Sequence, residues 1–542
     1  MRYLNSILSF LLIIQIVTSS QKEIDISIES TSSKFKRLFE NNLRTRFLTE
    51  NEQVSEDMCL RRVNPLDANY FYFFPNIKAR LFKEEDKVEF KSGCFNKNIL
   101  SLKKLSKEKT IIELETSEPK SFLCQDIYII HTSNINHFKA IFTSGKHIIK
   151  LKNLSQDDLD EIKVNSIKLV GFCSGVIETL KSLYLTLKMY VGGLGYDPNH
   201  KIPLFRPHVP DYMIKANLEA LKFYMNYVPE TRDNTPIYLN ESLIHSGGFL
   251  AISRMDGIDP MIMMGTGSHI GHSAVASWID GELYVLESQD GPYWPTRGIQ
   301  RTPFKKWVEQ AHISEFNVAI LPMREEYRKK FNESKANEWF VNGIEGLPYG
   351  YEIFLWGWID TVDSNMPWAI THLHFEFLFT VLEKIYPSLA DQMMAQSLNI
   401  RLGTKKLKLT QIIAEAARRG ITFEELLAMP EKDYNKYDDG QEKYTCAVFV
   451  ASFLKAGGIF DGFDINAQEF TPKDIVQLDI WDHDYKDKRP QICKDRDPEL
   501  PYCQILGKYR VDSPGYSSVP IYDHMNERCP SIGPEYYRPP NC

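Results

Sequence analysis

Residues 271–289 read Gly-His-Ser-Ala-Val-Ala-Ser-Trp-Ile-Asp-Gly-Glu-Leu-Tyr-Val-Leu-Glu-Ser-Gln, with Asp280-Gly281 set between two alternating apolar runs. A two-residue Asp-Gly loop favours positive φ at both central positions, so it selects a tight antiparallel hairpin. The register follows: Ile279 opposes Glu282, Ser277 opposes Tyr284, Ala274 opposes Glu287 and His272 opposes Gln289. Opposed residues share a face, and side chains return to that face every second residue. His272, Glu287 and Gln289 therefore project to one side. Glu287 is diagonal to the histidine at roughly 7–8 Å between backbones, and Gln289 lies across from it at about 5 Å. A histidine backed by a carboxylate or an amide is a general base held in one orientation. His269, three residues earlier, faces the other way on a strand, so His272 is the better candidate.

A second segment, Tyr444-Thr445-Cys446-Ala447-Val448-Phe449-Val450-Ala451, opens a helix predicted over 446–456 and ended by Gly457-Gly458. A cysteine at a helix start meets unpaired amide N–H groups and the positive end of the dipole, which favour the thiolate. Its own amide can donate to a developing oxyanion. Cysteine positions bear on this. Nine stand at 59, 94, 124, 173, 446, 493, 503, 529 and 542. Pairing within the first four and within the last four leaves Cys446 as the free thiol.

Such pairing needs an oxidising compartment, and the N-terminus supplies the address. Residues 1–20 show a short basic start at Arg2, an apolar run over 7–17 and Thr18-Ser19-Ser20, the layout of a secretory signal. The run is too short to span a hydrocarbon core of about 30 Å, and no later stretch is long and apolar enough. Sequons at Asn153, Asn240 and Asn332 are glycosylation candidates in a secreted or endolysosomal glycoprotein. The net charge of −7 and the lack of a basic block exclude a nucleic-acid partner.

The order of segments suggests five parts: a signal at 1–20, a polar leader at 21–58, a β-rich domain with helical connector at 59–235, a mixed domain at 236–470 and a Pro- and Cys-rich tail at 471–542. In the β-rich part, strands are expected at 70–74, 110–114, 126–131 and 148–151. A helix is predicted at 175–190 and another at 214–227. In the mixed part, strands are expected over 243–253, 261–287 and 313–322, and helices over 371–384, 388–398 and 409–419. One more helix opens at Thr422, where Thr-x-x-Glu has capping-box spacing. The tail reads as an irregular wrap stapled by disulfides.

The Gly-His-Ser-Ala-Val strand, the hairpin ending Tyr-Val-Leu-Glu-Ser and the much later Tyr-Thr-Cys-Ala-Val-Phe-Val-Ala helix start resemble the circularly permuted papain-like hydrolases. These are the permuted branch of the NlpC-type thiol peptidase superfamily, with histidine first and cysteine last. The resemblance covers about residues 240–460. It implies an α+β fold in which an antiparallel sheet carries His272 and a flanking helix presents Cys446, with Glu287 as third member and Gln289 in support. It implies a thiol hydrolase without cofactor or metal, acting on a peptide, a peptidoglycan stem peptide or a lipid ester.

Two other readings stay open. The same scaffold serves a non-enzymatic secreted binding glycoprotein, in which Cys446 is inert. Alternatively, Gly171-Phe172-Cys173-Ser174-Gly175 has the form of an α/β-hydrolase elbow and would make an esterase with Cys173 as nucleophile. The aromatic stretch 346–360 and Trp294 suit a core or a pocket, and His269, His372 and His374 show no metal-ligand spacing.

Overall fold

The structure, a computed structural model, describes residues 76–120, 126–171, 208–209, 211–289, 298–356, 372–429 and 433–521. The signal, the leader, strand 70–74, helix 175–190, Cys173 and Trp294 lie outside these residues.

The chain is α+β, with antiparallel sheets and helices. Residues 76–171 form eight strands: β1 (Asn76–Leu81), β2 (Lys87–Phe90), β3 (Phe95–Lys104), β4 (Lys109–Pro119), β5 (Asp126–His131), β6 (Asn136–Ile141), β7 (Gly145–Lys152) and β8 (Ile167–Gly171), with helix α1 (Gln156–Asn165) between the last two. They make two four-stranded sheets, ordered β1-β8-β5-β6 and β2-β3-β4-β7. The reason is visible in β4, where Thr110, Ile112, Leu114 and Thr116 alternate inward and their neighbours point out. Leu100, Ile112, Leu114, Ile130 and Leu169 close one core between the sheets.

The next part starts with α2 (Asp211–Met225) and builds a six-stranded sheet. Its members are β9 (Phe249–Ser253), β10 (His272–Ile279), β11 (Glu282–Gln289), β12 (Gly298–Pro303), β13 (Asn317–Leu321) and β14 (Cys503–Leu506), ordered β12-β11-β10-β9-β13-β14. The Asp280-Gly281 turn has φ of 52° and 82°, and pairing runs from Ile279–Glu282 to Val275–Leu286, as the turn type demands. Two helices depart from the expected run of strands. Helix α3 (Ile258–Thr266) replaces the strand expected from Met261: Asp256 Oδ1 accepts from the amides of Ile258 and Asp259, Pro260 fits the first turn, and Gly267 closes it in the left-handed region. Helix α4 (Phe304–Ile313) takes the first residue of the strand expected at 313–322.

Both faces of the sheet are covered. Phe304, Trp307, Val308 and Ala311 of α4 pack on Leu250, Ile252, Ala274, Ala276, Leu283 and Val285. On the other face Val275, Leu286, Ala319 and Leu321 meet the helix Cys446–Ala456, here α8, across a core that also takes in α5 (His372–Ile385), α6 (Leu409–Arg418) and α7 (Phe423–Ala428). Thr422 and Glu425 form the expected capping box at α7. The described part of the tail is not a loose wrap: β14 pairs with β13, while Leu500, Tyr502 and Val511 enter the main core. Its alternating Cys-Gln-Ile-Leu is too short a run to announce a strand, and only the exposed edge of β13 completes it. Lys168 of β8 makes a fully buried 2.6 Å ion pair with Glu376 of α5, which ties the β-rich part to the helices. Among the described residues no helix is long and apolar enough to cross a membrane.

Candidate functional site

Past Val275–Leu286 the hairpin strands part company. His272 pairs with Ile252 of β9, whereas Glu287 and Gln289 pair with Gln300 and Gly298 of β12. In the wedge so opened, the His272 imidazole and the Glu287 carboxylate meet: Nε2 and Oε2 are 2.9 Å apart. The other carboxylate oxygen accepts the Trp307 indole N–H at 2.9 Å. Glu287 has no solvent exposure, so both of its oxygens depend on these partners.

Directly before His272 stands Gly271. A Cβ there would lie 2.5–2.6 Å from atoms of Asp259, so only glycine lets α3 pack against the start of β10. From the opposite face, α8 brings its first residue to the wedge. Ser288 Oγ donates to the Tyr444 carbonyl at 2.8 Å and so fixes the loop that leads to Cys446 next to the strand that carries Glu287.

The Cys446 thiol lies within hydrogen-bonding reach of His272. Nε2 is engaged by Glu287, so any bond to the sulfur falls to Nδ1. Burial lowers the affinity of the ring for a proton, but hydrogen bonds to Cys446 and Glu287, reinforced by their charges, override it and raise the pKa to about 10. The resting ring is therefore an imidazolium at neutral pH. Cys446 is free, only 4% exposed, and opens α8 with Thr445 as an N-cap that makes no side-chain cap bond. Cys446 forms part of the wall of a narrow cleft whose other walls come from α3, from residues 349–354 and from residues 468–472.

The remaining candidates fall elsewhere. Gln289 is buried but makes no hydrogen bond to His272, because strand divergence removes the opposition that an ideal register provides. His269 stacks on Tyr227 at 3.6 Å and bonds the Asp512 carbonyl. His372 and His374 sit on α5, and among the described residues no group of three or more His, Cys, Asp or Glu is arranged to hold a metal. Cys173 lies outside the described residues; the strand leading to it, β8, runs antiparallel to both β1 and β5, whereas a nucleophile elbow sits on a mainly parallel sheet. Cys94 is disulfide-bonded and Cys493 is joined to Cys503. Asn153, Asn240 and Asn332 are all exposed, and the last two cap short helices through Oδ1.

Sequence reasoning missed Trp307, Ser288 and Gln468. For Trp307 a signal existed: Phe304, Trp307, Val308 and Ala311 have the i, i+3, i+4, i+7 spacing of a buried helix face. Trp307→Phe keeps an aromatic side chain and removes the donor. One buried carboxylate oxygen is then unpaired, at an expected cost of about 1.5–3 kcal/mol, read as a lower urea midpoint. The loosened carboxylate should also slow alkylation of Cys446 about tenfold, a loss that simple core damage does not produce.

No family model, curated protein or solved structure matches this chain.

Proposed function

We propose that the protein is a secreted or endolysosomal thiol hydrolase of the permuted papain-like type, with Cys446 as nucleophile, His272 as proton carrier and Glu287 as its orienting carboxylate. One observation carries the reading: a single imidazole bonds a buried carboxylate and has its proton affinity raised by a free cysteine at a helix start. Elevation of the ring pKa to about 10 means that His272 already carries its proton before substrate arrives.

The steps follow from that starting state. Sγ adds to the acyl carbon, and the carbonyl oxygen takes up the negative charge, with the unpaired amide of Cys446 available to donate to it. As the bond to the leaving nitrogen or oxygen breaks, His272 gives it the proton and becomes neutral. Water then adds to the thioester while His272 takes its proton. The C–S bond breaks, the acid leaves, and the starting state is restored. Peptides, peptidoglycan stem peptides and lipid esters all fit this chemistry.

The reading is tested by trapping the thioester. Incubation with p-nitrophenyl acyl esters should give a burst of p-nitrophenolate and an acyl mass increment on the peptide that contains Cys446. No burst, with Cys446 unmodified, would leave the scaffold as a binding protein.

A further inference from the structure

Gln468 is fully buried and lines the same cleft as Cys446. Its amide nitrogen donates to the Lys443 carbonyl at 3.1 Å, and since a carbonyl only accepts, the orientation of the amide is fixed. The carbonyl end, Oε1, has no hydrogen-bond partner among the described residues. A buried acceptor left unpaired is costly, and the cost is recovered when a ligand brings a donor. The amide also cannot turn its nitrogen to an oxyanion without facing its oxygen to the Lys443 carbonyl. Around it the walls are apolar: Met261, Ile353, Phe354, Val448 and Phe470.

We propose, resting on the hydrolase reading above, that Gln468 is a specificity residue whose Oε1 accepts an N–H of the substrate. The substrate class is then a peptide-like N-acyl amino acid derivative: an apolar group for the walls, an N–H for Gln468 and a carbonyl for the sulfur. Lipid esters offer the first and last of these but not the second.

The test compares N-hexanoylglycine p-nitrophenyl ester with its ketomethylene isostere, in which a methylene replaces the N–H and the scissile bond is unchanged. The native protein should favour the N–H ester about tenfold in kcat/KM. Gln468→Met should bring the ratio close to one, while its Cys446 is still alkylated by iodoacetamide at the native rate. Equal turnover of the two esters by the native protein overturns the proposal and leaves the hydrolase reading standing. Turnover of neither, with Cys446 unlabelled, overturns both. If Gln468→Met does not fold, the native ratio alone decides.

Discussion

Cys446→Ser is expected to lower turnover of acyl substrates by about 10⁴-fold or more while leaving the thermal melting point nearly unchanged. The two halves of this expectation have different causes. Serine is close in volume to cysteine and the N-cap, Thr445, is untouched, so α8 and its packing on β10 and β11 should persist. Chemically the exchange is drastic. A serine hydroxyl is a far weaker acid and a poorer nucleophile than a thiol, and the exchange also removes one of the two groups that raise the affinity of His272 for its proton. Single-turnover kinetics on p-nitrophenyl esters, with a melting curve on the same sample, read both. A variant that melts normally and turns over at the native rate removes Cys446 from the mechanism.

Glu287→Gln is the second large effect, expected at about 10³–10⁴-fold in kcat. Shape is conserved and the Trp307 N–H still has an oxygen to meet, but the amide is neutral and offers N–H donors where the carboxylate only accepted. His272 loses one of the two groups that hold its proton, so its pKa falls from about 10 towards the ordinary value of 6.5. The sign for stability follows. A histidine whose folded pKa is raised contributes stability that is fully present below pH 6.5 and is lost as pH rises through about 10. Urea melts should therefore show the native protein's advantage over Glu287→Gln largest in mild acid and smallest above pH 10. A gap that widens with pH contradicts the charge assignment.

Much of this site is written locally, and the parts that are not have physical reasons. Asp280-Gly281 determines its turn almost alone, so the hairpin and the shared side of His272 and Glu287 could be read from a few residues. The helix start at Cys446 was equally legible, because an apolar run bounded by Gly457-Gly458 sets its length. Gln289 failed because the hairpin pairing stops at Val275–Leu286, short of the positions where an ideal register would set it opposite His272. Trp307 reaches Glu287 from α4, an element masked by the stronger β signal that follows it. Residues 503–506 become a strand only because β13, nearly 200 positions earlier, has an open edge. Gln468 acquires meaning only beside the Lys443 carbonyl, a contact between a one-turn helix and a segment 25 residues earlier that no periodicity encodes.

The contact between sulfur and imidazole is probed most directly by the rate at which iodoacetamide labels Cys446 in the folded protein, followed against pH with and without His272. An isolated thiol reacts as it ionises, near pH 8.5. Labelling of the native protein should be faster than that of His272→Ala at neutral pH, and the difference should fade as the imidazolium titrates near pH 10. Identical curves for the two proteins, or a native Cys446 that resists labelling throughout, would mean that the two side chains do not form a working pair.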